Sequence, residues 1–553
     1  MADYRSRIRG GHNFYNIRVS DQEVAACLDP PQLLLALTPE TIDVHLEQTA
    51  RGAVIIYDQG FQVDPERIRS SQRLPFPIPL AEIAKEHGSK VMMNTAALAA
   101  AAALLDLPMA PVESVIRQNF ASKGERVVAA NLDVARAANA FASAHRPQGV
   151  DLHVPIRAGE PPRMVLNGNE AFSLGALLGG CRFVAQYPMT PATTILEWMT
   201  AHAAETGVVT KHAEDEIAAV CMAIGASWTG ARAMTATSGG GFALMAEAVG
   251  LAAMTETPLV AVISQRGGPS TGLPTRTEQG DLLFVLRPSQ GDFPLIITAP
   301  GSHEQAWETG WRSFNLAERY QCPVLVLLDE YLSSALTTLP MTSLDPAPVR
   351  IDRGETYAPD QAQTWLRRSG ERAYARFRFT ESGISPRLLP GDPAAVYTVS
   401  SDEHDETGAI TEDQENRTRM MEKRMHKLDA ALGEMRGPAR YGAERAEITL
   451  LCWGSTLGAA LEASELLRRR GTTVNVLHWT DLWPFPAAAS LRELGQVRHG
   501  VVIEQNYSGQ FEQLLRMTTG YQPERHLRKY DGRAFTSDEI ASWLEQEVLS
   551  YVD

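Results

Sequence analysis

Apolar positions along the chain fall into two alternating rhythms. Short continuous runs, RFVAQYP, RAMTATS, PLVAVISQ, PLIITAP and PVLVLLD, read as buried strands. Between them PATTILEWMTAHAAE, EDEIAAVCMAIGAS, GFALMAEAVGLAAM and EQAWETGWRSFNLAERY read as helices. That alternation over residues 165–340 predicts a mainly parallel, doubly wound sheet, since parallel strands need a crossover between them. Residues 1–150 show the same rhythm less sharply. HNFYNIRVS (residues 12–20) and GAVIIYD read as strands, and TPETIDVHLEQT, SKVMMNTAALAAAAALLDL, ESVIRQNF and NLDVARAANAFASA as helices. The Pro- and Gly-bearing connector RPQGVDLHVPIRAGEPP closes this part. Residues 341–440 break the rhythm: they are polar and proline-spotted, with one charged helical tract, ENRTRMMEKRMHKLDAALGEM. Alternation returns over 441–553, from EITLLCWGS to a final helix near SDEIASWLEQEVL. The fold class predicted is multidomain α/β.

Composition narrows what such a chain does. At 553 residues it is too long for a single core. With 44% hydrophobic and 21% charged residues it is an ordinary globular protein. A net charge of −15 argues against a nucleic-acid or anionic-membrane partner. The apolar run Ala96–Leu105 is too short to span a bilayer, and MADYRSRIRGG lacks a signal peptide's apolar core, so a soluble cytoplasmic protein is expected. Cys27, Cys181, Cys221, Cys322 and Cys452 are widely spaced without C-x-x-C, which disfavours a metal or iron–sulfur site in this chain.

Candidate chemistry is scattered. Gly268-Pro269-Ser270-Thr271-Gly272 has nucleophile-elbow spacing, but Leu273-Pro274 forbids the helix that must follow. Ser238-Gly239-Gly240-Gly241 lies between a strand and a helix, where backbone N–H groups cradle anions, though Leu244 takes the place of a dinucleotide motif's third glycine. Asp402-Glu403-His404-Asp405-Glu406 resembles a metal-ligand cluster, but its polar surroundings predict a solvated acidic loop. Glu214, Asp215 and Glu216 run straight into an uncharged stretch that begins at Ile217. Acids at a helix start complement the macrodipole and need no further reason, and helical geometry does not choose among the three.

Several of these segments together carry a resemblance. FVAQYPMTPATTILEW, HAEDEIAA, ARAMTATSGGGFALMAEA, ISQRGGPSTGLPTRTEQGDL and AERYQCPVLVLLDEYL resemble, in that order, the alpha subunit of 2-oxoacid:ferredoxin oxidoreductases. SSDEHDETGAITEDQENRTRMMEKRMHKL and EQNYSGQFEQLL extend the likeness, and IRGGHNFYNIRVSD is similar to part of the family's gamma domain. The resemblance implies a shortened gamma-like domain over 1–150, because the chain starts almost at Arg9-Gly10-Gly11. It implies a thiamine-diphosphate pyrimidine-binding domain over 165–340, a connecting segment over 341–440 and a transketolase C-terminal-like domain over 441–553.

The family's chemistry gives one acid a task. Thiamine acts when a glutamate hydrogen-bonds its pyrimidine nitrogen, and an apolar pocket strengthens that bond. The matching position is Glu216. Tyr187-Pro188-Met189-Thr190-Pro191 corresponds to a motif usually written Y-P-I-T-P, so Thr190 is expected to contact substrate; its plainer alternative is a helix N-cap. Met for Ile there preserves volume. Arg266 matches the arginine that grips the substrate carboxylate with two N–H groups, its plainer alternative being a surface ion pair. Tyr187, Pro188, Thr237, Ser238 and Gly239 are expected around the cofactor. No G-D-G motif is present, and Gly280-Asp281-Leu282 and Gly291-Asp292-Phe293 break it. The resemblance therefore implies no metal in this chain, with Mg²⁺ and a 4Fe-4S cluster on a beta subunit that shares the thiamine diphosphate. It further implies a heterotetramer acting on a 2-oxoacid, 2-oxoglutarate favoured, with coenzyme A and ferredoxin. Pyruvate or branched-chain substrates, or a non-catalytic assembly role, are the alternatives.

Overall fold

The computed structural model describes residues 2–3, 11–27, 30–156, 159–358, 361, 364, 366, 374–391 and 396–548. Arg9 and Gly10, on which the gamma-like reading partly rests, lie outside them. The chain divides into two units, one of residues 3–160 and one holding residues 161–553.

In the first unit, β1 (Leu33–Ala36), β2 (Val54–Asp58) and β3 (Leu74–Ile78) form a parallel sheet in that order. All five residues of β2 are buried, as its unbroken apolar run predicts. The alanine-rich helix α1 (Met93–Leu104) packs against α2 (Glu125–Ala144), and Ala96, Ala97 and Ala99–Ala103 are buried in this core. The strand predicted over 12–20 is reduced to Phe14–Tyr15. Ile17 and Val19 beyond it are exposed, while the Phe14 ring packs edge-on against buried His45, 4.6 Å between centroids. Beyond Tyr15 the bulky residues lie in a loop, not a strand.

The second unit is built on a seven-stranded sheet. Its strands are β4 (Cys181–Gln186), β5 (Val209–His212), β6 (Arg232–Thr237), β7 (Leu259–Gln265), β8 (Ile296–Thr298) and β9 (Pro323–Asp329), joined by a seventh from the C-terminal region. β6, β7 and β9 are buried along their whole length. Helices cover the sheet, among them α3 (Gly168–Leu178), α4 (Glu216–Trp228), α5 (Gly239–Met254) and α6 (His303–Tyr320). Only α7 (Gln414–Leu432) of the charged tract has its own periodic face, and it packs on α6.

A five-stranded sheet follows. β10 (Ala439–Tyr441) lies beside β12 (Val474–Trp479), then come β11 (Ile448–Trp453), β14 (His499–Glu504) and β15 (Arg525–Arg528). Between β12 and β14 the chain gives β13 (Asp481–Trp483), which crosses to the larger sheet and pairs antiparallel with β8. The larger sheet then reads β13-β8-β9-β7-β6-β4-β5, parallel except for β13. Arg312 on α6 donates to both Asp481 oxygens, at 2.6 and 2.8 Å, and locks the crossing strand.

The acidic stretch Asp402–Glu406 is a solvated loop only in part: Asp402 is exposed, but Glu403 and His404 are tied into the fold. Glu403 accepts from Arg424 at 3.0 and 2.8 Å and also from Arg417, both on α7. His404 is fully buried, its ring centroid 4.2 Å from that of Phe377. The cations that neutralise Glu403 lie 14 and 21 positions later, beyond the reach of a local reading. Among the described residues no three His, Cys, Asp or Glu side chains converge as a metal site. No described helix is long and apolar enough to cross a membrane.

Candidate functional site

Three adjacent parallel strands, β4, β6 and β7, end on one edge of the larger sheet, with Ile263 of β7 in register with Thr237 of β6. The carboxyl edge is where open α/β sheets bind ligands. Tyr187 follows β4, Ser238 follows β6 and Arg266 follows β7. Sheet topology thus gathers residues that lie some 80 positions apart in the chain.

The three acids separate cleanly. Glu214 and Asp215 are exposed, and Asp215 caps α4 by accepting the Ala218 N–H at 2.7 Å. Glu216, the first residue of α4, is only 3% exposed. Its Oε1 is buried and finds no hydrogen-bond partner among the described residues. A carboxylate oxygen held dry and unanswered is costly, and such groups mark places where a ligand supplies the missing donor. Room is made by Gly241 on α5: a Cβ there would lie 2.6 Å from Glu216 Oε1 and 2.1 Å from Thr237 Oγ1.

The Tyr187–Ala192 turn is pinned by three donors to successive carbonyls. Arg266 Nη1 donates to Thr190 at 2.7 Å, Asn169 Nδ2 to Pro191 at 2.9 Å and Gln186 Nε2 to Ala192 at 2.8 Å. Thr190 is therefore not an N-cap; the next helix begins at Thr193 with Ala192 in the cap position. Arg266 is half-buried and held to the Thr190 backbone, so the surface ion pair does not describe it. Met189, the departure from the usual motif, offers its sulfur to the Ser238 hydroxyl at 2.7 Å, with Thr237 Oγ1 at 3.9 Å. Isoleucine could not accept there. Tyr187 and Pro188 border the same turn, Tyr187 more than a third exposed.

Two acids missed in the sequence complete the site. Asp281 presses on the start of α5, where a Cβ on Gly239 would lie 2.5 Å from both its oxygens. Burial, helped by neighbouring Glu278, raises the Asp281 carboxyl to about 7 against the opposing pull of Arg266. Burial likewise raises Glu278 and lowers Arg266, with Asp281 pulling that guanidinium back up. The loop bearing these acids is clamped by the stretch after β14. Gln279 N–H donates to the Gln505 carbonyl (2.7 Å), Asn506 Nδ2 to the Gln279 carbonyl (3.1 Å) and Gln510 Nε2 to the Gly280 carbonyl (2.7 Å). This gives EQNYSGQFEQLL a structural task. The GGPSTG loop before it is a turn closed by Leu273 N–H to the Gly267 carbonyl at 2.7 Å, with no helix after Ser270.

Around the cleft, apolar side chains face outward: Ile217 is 52% and Leu244 54% exposed, with Leu273 also exposed. Taken together the edge offers an unanswered carboxylate, a partly desolvated guanidinium and an apolar rim. Such a set fits a ring with a hydrogen-bonding nitrogen and a small carboxylate substrate.

Three family models match the chain. The thiamine-diphosphate-binding model of pyruvate flavodoxin/ferredoxin oxidoreductases matches residues 174–423. A pyruvate ferredoxin/flavodoxin oxidoreductase model matches 1–141, and pyruvate:ferredoxin oxidoreductase core domain II matches 446–540. The 2-oxoacid:ferredoxin oxidoreductase subunit alpha of Saccharolobus solfataricus is 32% identical, over 99% of this chain and 92% of the relative. The 2-oxoglutarate oxidoreductase subunit KorA of Mycobacterium tuberculosis is 29% identical, over 97% and 83%. A solved 2-oxoglutarate:ferredoxin oxidoreductase from Magnetococcus marinus, with 2-oxoglutarate, coenzyme A and succinyl-CoA bound, superposes with a TM-score of 0.90 at 32% identity, covering 99% of this chain and 93% of that one.

Proposed function

This chain belongs to the 2-oxoacid:ferredoxin oxidoreductases as an alpha subunit, and from that premise we propose that it takes part in CoA-dependent oxidative decarboxylation of 2-oxoglutarate. The overall reaction converts 2-oxoacid, coenzyme A and two oxidised ferredoxins into acyl-CoA, CO₂, a proton and two reduced ferredoxins. The single observation that carries a catalytic role is the dry, partnerless Oε1 of Glu216. The KorA relatives and the 2-oxoglutarate-bound neighbour support 2-oxoglutarate over pyruvate or a branched-chain acid.

Bound thiamine diphosphate supplies a nucleophilic carbon and an electron sink for decarboxylation. The residues of this chain do the rest. Glu216 holds a proton at the pyrimidine nitrogen, and its burial keeps water from competing for that bond. Gly241, Thr237, Ser238 and Gly239 shape the wall beside it, and Tyr187 and Pro188 border it. Arg266 binds the substrate carboxylate; its desolvated guanidinium gains most from an incoming anion. By holding the Thr190 carbonyl, Arg266 also fixes where the Thr190 side chain meets substrate.

The apolar rim of Ile217, Leu244 and Leu273 is the surface that a beta subunit covers, closing the cleft from water. That subunit carries the Mg²⁺, the diphosphate and the 4Fe-4S cluster, and the pairs assemble as a heterotetramer. Five widely spaced cysteines, none in a described disulfide, support a reducing, cytoplasmic setting.

Glu216→Gln in the reconstituted complex tests the reading. Oxoacid-dependent dye reduction should fall by about 10²–10⁴-fold, the usual weight of a placed acid–base group. Unchanged turnover would leave the chain an assembly subunit.

A further inference from the structure

Behind the C-terminal end of α4, five cationic side chains share two carboxylates, and a sixth, Arg376, lies beside them. Lys423 and Lys427 of α7 both pair with Glu256. Arg232, Arg353 and Arg387 all pair with Glu318, at 2.7, 2.8 and 3.0 Å. Arg376, 2% exposed, donates Nη2 to the backbone carbonyl of Glu256 at 2.8 Å. Asp352 adds little, since its carboxylate serves Arg319 and it offers Arg232 only its backbone carbonyl. A lysine in such a place can shed its proton, but a guanidinium cannot. A buried positive surplus is costly unless something neutralises it.

Between Arg376 and Arg387 lies a small cavity, bordered also by Ser227, Trp228, Glu256 and Tyr397. It admits a particle of about the size of a water molecule and little more. Arg376 Nη1 and Arg387 Nε are buried donors with no acceptor among the described residues. We propose that this cavity binds a small monovalent inorganic anion, of chloride size, between the Arg376 and Arg387 side chains.

The two features explain each other. An anion there answers two orphaned donors and removes one unit of the surplus. Glu256 does not repel it, because two ammonium groups already neutralise that carboxylate. The negative ends of α4 and α5 oppose it with about half a charge each, against two full guanidinium charges. Burial pushes Lys423 down to about 7 despite Glu256, with Lys427 and Arg376 adding repulsion, and burial lowers Arg387 with Arg376 contributing. The bound ion would tie the 374–432 segment to the helix that starts at Glu216. This inference does not depend on which oxoacid the enzyme uses.

Crystals of the assembled enzyme transferred into sodium bromide test it directly. An anomalous bromine peak between Arg376 and Arg387 is expected; water or empty density in that place overturns the proposal. In solution, replacing sodium gluconate by chloride or bromide at constant ionic strength should raise the unfolding temperature by about 1–2 °C, as binding to the folded state alone predicts. Arg376→Met should abolish the rise. An equal rise in the variant overturns the site. If the variant fails to assemble, the bromide peak in the unaltered enzyme decides alone.

Discussion

Two buried glutamates of one domain have opposite surroundings. Glu256, just after α5, has each oxygen taken by a buried lysine. Glu216, at the head of α4, keeps one oxygen dry and unpaired. Burial is nearly equal, at 0% and 3% exposure, so burial alone does not tell the two apart. The difference lies in what the fold supplies. Around Glu256 the chain brings in its own cations, from 167 and 171 positions away in sequence, and neutralises the charge internally. Around Glu216 it supplies a glycine, Gly241, and leaves one oxygen without a partner among the described residues.

The largest contrast comes from removing each charge in turn. Glu216→Gln should lower turnover by the two to four orders of magnitude given above while leaving the unfolding midpoint of the complex unchanged. Loss of both together would merge the two glutamates into one structural class. Glu256→Gln should do the reverse. Lys423 and Lys427 would be left buried without a counter-charge, which costs about 3–5 kcal/mol of stability, read by denaturant unfolding. Activity per folded molecule should persist.

Asp281→Asn sharpens the comparison at an acid of intermediate kind. The folded Asp281 carboxyl, near 7, lies above its ordinary value of 3.8. The folded state therefore binds more protons in between, and its stability falls as pH rises from about 4 to about 7. The asparagine variant should lose that slope in unfolding scans. Deprotonation also places a negative charge near Arg266. The KM for oxoacid should therefore rise as pH passes about 7, and the variant should flatten the rise. The smallest effect belongs to Met189→Ile, which restores the usual motif at similar volume and should change stability by less than about 1.5 kcal/mol.

The strands and helices of the larger sheet were legible because parallel strands buried on both faces must be continuous apolar runs. RAMTATS and PVLVLLD became β6 and β9. HNFYNIRVS misled because bulky residues in a loop look like those in a strand until a pairing partner is known. Glu216, Thr190 and Arg266 were reached through resemblance, and the structure brings Arg266 and Thr190 within 2.7 Å. Asp281 and Glu278 were invisible for a different reason. Their importance arises from burial against α5 and from the clamp by Gln505, Asn506 and Gln510, more than 220 positions downstream. The acidic stretch Asp402–Glu406 failed likewise in part, its neutralising arginines being supplied from elsewhere.

The strand β13 constrains how this gene could be shortened. Trimming the chain before Thr480 would strip the flank of Ile296–Thr298 and bare a short row of backbone donors and acceptors. Truncated products would then be prone to stack flank to flank into insoluble material. The tail end of this polypeptide is less an appendage than a selvedge, the woven border that keeps the cloth from fraying.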